Sequence, residues 1–144
     1  MEVIENKSDK LDTETLRNAV SALRDGVADF NEYGEKSARL YLTLRSGVIQ
    51  NFEVAYELCW KFMQKWLEMN VSPNIVKGVP KREFYRIAEE NDLIENSNIW
   101  CEFHAARNST SHTYSSSVAA SVCDKVIEFL PVAEKFVCNL EKKI

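Results

Sequence analysis

Residues 48–67 read VIQNFEVAYELCWKFMQKWL. Their apolar side chains, Val48, Ile49, Phe52, Ala55, Tyr56, Cys59, Phe62, Met63, Trp66 and Leu67, recur every three or four positions. That period lets a helix gather its apolar groups on one face, and here it persists for more than five turns. A helix this apolar belongs at the centre of its fold. The pattern predicts that it begins after a polar stretch containing Gly47. It must end before Ser72-Pro73, because a proline disfavours helical geometry in the residue ahead of it.

Working outward from this helix, Leu16, Val20, Leu23, Val27 and Phe30 carry the same spacing and predict a helix over 13–33, capped by Asp12 or Thr13, with Gly34 just past its end. Downstream, residues 72–80, SPNIVKGVP, read as a loop. Pro80 suits the first position of a short third helix reaching about Asn91, with Phe84, Ile87 and Ala88 buried. Ser97 resembles the N-cap of a fourth short helix carrying Trp100, Phe103 and Ala106. Val118, Val122, Val126, Phe129, Ala133, Phe136 and Leu140 mark a long last helix, in which Pro131 predicts a kink or break near Phe129. The fold expected is all-α: an up-down bundle of about five helices, three long and two short. It forms one domain over 1–144, with residues 1–12 as a flexible arm.

Composition agrees. The 144 residues are 45% hydrophobic and 28% charged, the balance of a globular domain. Four Gly and three Pro leave little turn chemistry for an all-β chain. A formal charge of −4 excludes a general basic coat for nucleic acid, so DNA binding is not expected and any RNA contact must be local. Cys59, Cys101, Cys123 and Cys138 form no Cys-x-x-Cys pair, which argues against a zinc ribbon, and reduced, mostly structural thiols are expected. The first residues lack the apolar core of a secretory signal, and no stretch approaches about 18 consecutive apolar residues. A cytoplasmic protein without membrane contact or cofactor is expected.

The least generic segment is Arg107-Asn108-Ser109-Thr110-Ser111-His112-Thr113-Tyr114, which contains no aliphatic side chain. A continuous helix would turn His112 about 140° from Arg107. Four successive residues that favour caps and turns predict a loosened turn that brings the two to one side. An arginine can grip phosphate oxygens in two-pronged fashion, and a histidine moves protons near neutral pH.

On these residues, Arg107-x4-His112-x-Tyr114 with the polar Asn108, the chain resembles the HEPN superfamily. Ile49-Gln50-Asn51-Phe52-Glu53-Val54-Ala55-Tyr56-Glu57-Leu58 also resembles the I-Q-x-F-E-x-x-Y-E-L helix of the nucleotidyltransferase substrate-binding subgroup. The two matches, in order, span roughly 15–140. The resemblance implies a homodimer whose two motifs share a cleft, and a separately encoded minimal nucleotidyltransferase as partner. It implies metal-independent RNA cleavage by Arg107 and His112, with Tyr114 accepting AMP as a silencing mark. Asn108, Thr110 and Ser111 would help to bind substrate. The alternative is a noncatalytic subunit that binds a nucleotide or another substrate for the nucleotidyltransferase in the same cleft.

Simpler roles stand beside these. Arg107 could be an ion-pair partner for Glu53 or Glu57, which lie four apart on one side of the central helix. His104 reads as a packing or surface residue, and its spacing from His112 does not suit a helical zinc pair. Lys77, Lys81, Arg82 and Arg86 form the one local basic cluster, more simply a solvated face than a phosphate track. Trp60, Trp66 and Trp100 read as core or dimer interface.

Overall fold

The computed structural model describes residues 11–144. Five α-helices occupy them: α1 (Glu14–Tyr33), α2 (Ala38–Asn70), α3 (Lys81–Glu90), α4 (Ser97–Ser109) and α5 (Ser116–Lys142), with a short 3-10 turn over Thr110–His112. Three are long and two short, and there is no strand among the described residues. The arm expected at 1–12 falls mostly outside the described residues. Of its last two residues, Leu11 is buried and the Asp12 carboxylate accepts the Glu14 N–H at 3.0 Å, so Asp12 and not Thr13 supplies the cap.

The central helix starts ten residues earlier than the apolar period predicts. Ser37, in extended backbone, accepts the Leu40 N–H on its Oγ at 3.0 Å. This cap organises a start to the helix whose apolar side chains, Leu40, Tyr41 and Leu44, are only half-buried. This start then packs on α1, where the Tyr41 and Phe30 rings lie 5.3 Å apart. Gly47 is thus inside α2, where tertiary packing overrides its weak propensity. Gly34 permits the tight reversal between α1 and α2: a Cβ there would lie 2.5 Å from the Phe30 carbonyl oxygen.

The fourth helix is capped by Asn96, whose Oδ1 accepts from the N–H groups of Asn98 and Ile99; Ser97 is its first helical residue. Likewise Pro80 is the N-cap of α3, one position ahead of expectation. Between α3 and α4 the chain turns through Asp92 at φ 59°, and Asn139 of α5 donates to the carbonyls of Asp92 and Leu93 at 2.7 and 3.0 Å.

The core is an aromatic knot. Phe129 of α5 meets Phe52 of α2 edge-on at 5.1 Å, Phe103 of α4 at 5.0 Å and Trp100 at 5.8 Å, and all four are essentially inaccessible. Each ring contributes about 1.5–3 kcal/mol by burial, with more from the edge-to-face geometry. Cys59 and Cys123 are buried beside this core, and all four cysteines are free thiols.

Pro131 does not break α5, which runs unbroken to Lys142. Both Pro131 and Ile127, the residue whose carbonyl loses its helical partner, are exposed, so water can satisfy the oxygen without disturbing the core-facing side of the helix. Pro131→Ala is therefore expected to stabilise the fold by about 1–3 kcal/mol, read as a higher midpoint in urea denaturation with unchanged slope.

Candidate functional site

The last two turns of α4 carry His104, Arg107 and Asn108, spaced so that they share the face turned toward α2. Arg107 crosses to α2, where Glu53 and Glu57 sit one turn apart. Its Nη1 lies 3.5 Å from Glu53 Oε2, and its Nε lies 3.4 Å from Glu57 Oε1. The buried Nε is attracted by charge without hydrogen-bond alignment. The guanidinium separates two carboxylates that would otherwise repel each other across one helical turn. Nη1 also donates to Thr110 Oγ1 at 2.8 Å, and Thr110 Oγ1 donates to the Arg107 carbonyl at 2.7 Å. Thr110 is buried, so it is a brace under Arg107.

Beyond Ser109 the backbone tightens into the 3-10 turn. Ser111 Oγ donates to the Asn108 carbonyl at 3.1 Å and Thr113 Oγ1 to the Thr110 carbonyl at 3.2 Å. These short side-chain hydroxyls compete with the regular helical pattern and hold the loosened geometry. His112 ends the turn, exposed, with its ring 6.0 Å from that of Tyr114. Tyr114 is 87% exposed.

The loosened turn is present, yet no hydrogen bond or ion pair joins His112 to Arg107 among the described residues. The segment divides into two groups. Arg107 and Thr110 are joined to Glu53 and Glu57 on α2, whereas His112 and Tyr114 form an outward-facing pair.

Several polar residues in this region escaped the sequence reading. His104 is neither loose nor apolar-packed: its Nδ1 lies 3.0 Å from Tyr56 Oη, and its Nε2 3.4 Å from Asn108 Nδ2. Tyr56 Oη in turn lies 2.5 Å from Tyr85 Oη. Burial, with the charge of Lys81 beside it, lowers the His104 pKa against the opposing pull of Glu57. Burial raises both tyrosines well above the phenol range. The spacing of His104 to Asn108, one helical turn, was the available signal; Tyr85 gave none, since the sequence reading of its helix placed only Phe84, Ile87 and Ala88 on the buried face. Arg45 on the unexpected first part of α2 is buried as well, its Nη1 donating to Ser116 Oγ at 3.5 Å.

The basic cluster does not form a track. Lys81 folds its ammonium 3.0 Å over the Trp60 ring, Trp60 Nε1–H donates to Glu57 Oε2 at 3.1 Å, and Arg86 pairs with Glu83 at 3.2 Å. Trp100 is core, while Trp60 and Trp66 are half-buried against it. A cavity of about 720 Å³ lies at the other end of α4, walled by Leu93, Ile99, Trp100, Phe136 and Asn139, and touches no motif residue. A second, of about 430 Å³, reaches the motif only at Ser109. Neither of these two cavities is built on the Arg107–Tyr114 motif.

Residues 11–142 match the family described as nucleotidyltransferase substrate binding protein like. This chain belongs to that family. A relative from Haemophilus influenzae, the probable ribonuclease HepT, is 30% identical over 127 residues, 85% of this chain and 87% of the relative. Among solved structures, HI0074 from Haemophilus influenzae, described as having the fold of a substrate-binding domain of a nucleotidyltransferase, superposes with a TM-score of 0.84 at 26% identity. It covers 90% of this chain and 99% of that one. Membership of the substrate-binding family agrees with the all-α helical bundle. No described helix is long and apolar enough to cross a membrane.

Burial pulls the Lys81 pKa down from 10.5 to about 8, against the attraction of Glu57. Between those values the unfolded chain holds the Lys81 proton more tightly than the folded one, so folding stability rises with pH across that window. Lys81→Met should flatten this rise. The check is thermal unfolding of both proteins on either side of about pH 8; identical pH slopes would show that the ammonium is not desolvated by Trp60.

Proposed function

We propose that this chain is a HEPN-type partner subunit of a separately encoded minimal nucleotidyltransferase. In this reading it is a metal-independent endoribonuclease that acts as a homodimer and is silenced by transfer of AMP to Tyr114. The observation that carries the reading is the pairing of His112 with a Tyr114 that is 87% exposed. A phenol this free is open to a second enzyme, and a nucleotide attached to it would sit beside the imidazole and block a phosphate from approaching. The name of the HepT relative supports the nuclease part, and the description of the HI0074 fold supports the nucleotidyltransferase partner.

His112 would deprotonate the 2′-OH or protonate the leaving oxygen. Arg107 would neutralise charge building on the phosphorane, which leaves a 2′,3′-cyclic phosphate end. Within one chain no hydrogen bond or ion pair joins Arg107 to His112 among the described residues, so the reading brings them together across a two-fold cleft. Exposed apolar groups support such pairing: Val54 on α2 is 50% exposed, and Leu58 and Phe62, one and two turns on, are only half-buried.

A second reading has its own observation. Arg107 is engaged by two carboxylates, as a structural residue would be, and this favours a noncatalytic subunit that binds a nucleotide or other substrate for the nucleotidyltransferase.

The test is RNA cleavage by the purified wild type followed over time. His112→Ala should lower the rate by about 10²- to 10⁴-fold, with Arg107→Ala similarly impaired, and co-expression with the nucleotidyltransferase should add one AMP to wild type but none to Tyr114→Phe. A wild type that binds nucleotide yet cleaves no RNA would establish the second reading. Separately, light scattering should report twice the chain mass for wild type and a monomer for Val54→Glu; a wild-type monomer at micromolar concentration removes the composite cleft.

A further inference from the structure

A single polar chain runs from the core to the surface beside Arg107. Tyr85 Oη of α3 lies 2.5 Å from Tyr56 Oη of α2, Tyr56 Oη lies 3.0 Å from His104 Nδ1 of α4, and His104 Nε2 lies 3.4 Å from Asn108 Nδ2. Tyr85 is 0% and Tyr56 1% exposed, so water does not serve them. Counting protons assigns the direction. The Tyr85 hydroxyl meets no other hydrogen-bond partner among the described residues, so its O–H donates to Tyr56. The Tyr56 O–H is then left for His104, whose Nδ1 accepts. The imidazole proton must be on Nε2, facing Asn108.

Running the chain backwards strands the Tyr85 O–H in the core without an acceptor, the arrangement folded proteins avoid. A doubly protonated His104 demands the same reversal, so the count that selects the tautomer also keeps the ring neutral. The charged groups facing it are Lys81 from α3, which acts in the same sense, and Glu57 from α2, which opposes it. The two ends of a carboxamide have the same shape. The structure sets Asn108 Nδ2 against His104 Nε2, and two N–H groups cannot bond each other, so an Nε2–H requires the carboxamide flipped end for end, with its oxygen turned inward and its NH2 facing outward from an exposed position.

We propose that His104 is a positioning residue: through its Nε2–H it holds the Asn108 carboxamide so that the amide NH2 donates to a phosphate-ester oxygen bound beside Arg107. The Tyr85–Tyr56 pair is the device that fixes the direction of that donor. The ligand rests on the proposed function, whereas the proton arrangement stands independently of it.

Two measurements on the full chain separate these parts. Long-range ¹H–¹⁵N correlation spectra of ¹⁵N-labelled protein report the His104 tautomer directly. The wild type should show Nε2–H. The double variant Tyr56→Phe/Tyr85→Phe, which removes both hydroxyls and leaves no stranded donor, should show mixed tautomers and a higher His104 pKa. An Nδ1–H tautomer in the wild type, or an unchanged double variant, overturns the arrangement.

Calorimetric binding then uses two probes, AMP and a short RNA with 2′-O-methyl groups that prevent cleavage. His104→Phe and Asn108→Ala should each weaken binding about ten- to hundredfold, the worth of one hydrogen bond to a charged group. Combined they should be no worse than either alone, because one acts through the other, and His104→Gln, which keeps a donor near the Nε2 position, should recover part of the loss. Loss with AMP alone identifies a free nucleotide as the ligand, and loss with RNA a strand phosphate. Additive losses, or a His104→Phe protein that binds normally, overturn the positioning role only. A wild type that binds neither probe overturns the phosphate contact and the proposed function together, and the tautomer measurement still judges the chain.

Discussion

Phe129 stands where three helices converge, and its edge-on contacts with Phe52 and Phe103 set how close α4 may come to α2. Everything polar at that junction depends on this spacing. The Arg107 guanidinium reaches Glu53 and Glu57, and His104 reaches Tyr56, only because the rings beneath hold the two helices in contact. Dense aromatic packing tolerates little displacement. The hydrogen-bonded groups above it therefore inherit positions fixed by dispersion and burial, not by their own modest net energies.

Much of this was legible in the residues. Long apolar stripes such as Leu16–Val27 and Val48–Leu67 read directly as helices, because burial on one face leaves a periodic trace. What escaped lacked such a trace. The first ten residues of α2 carry only a short, broken apolar pattern, with Leu40, Tyr41 and Leu44 half-buried, and owe their helicity also to the Ser37 cap and to packing on α1. Pro131 looked like a break because its local rule is strong, but its position on the wet side of α5 leaves the freed carbonyl open to water, so the helix continues at a cost in stability and not in structure. At the site, the Arg107–Glu53–Glu57 cluster was foreseeable from the one-turn spacing of the glutamates. The His104–Tyr56–Tyr85 chain was not, since contacts between residues 29 and 48 positions apart leave no local pattern.

The electrostatics of the junction bear on how a phosphate could enter. Arg107 faces two carboxylates, one of which, Glu57, is also held by the Trp60 indole N–H. Glu53, Glu57 and Arg107 together carry a net negative charge, offset locally by Lys81, whose own ammonium is weakened by burial. A single chain therefore presents Arg107 as a restrained cation and not as an open anion receptor. Any polyanion must compete with the glutamates for the guanidinium, or approach from the outward side where Asn108, His112 and Tyr114 are exposed. A surface of this kind discriminates by geometry more than by long-range attraction.

The same side chain that is most accessible is the least invested in the architecture. With 87% of its surface in water, the Tyr114 ring contributes almost nothing to holding the helices together, and surface positions of this sort typically change stability by no more than about 0.5 kcal/mol when replaced. Its phenol can be decorated, stripped or lost to drift while the bundle beneath folds as before. The scaffold and this one chemical handle can therefore evolve on separate schedules.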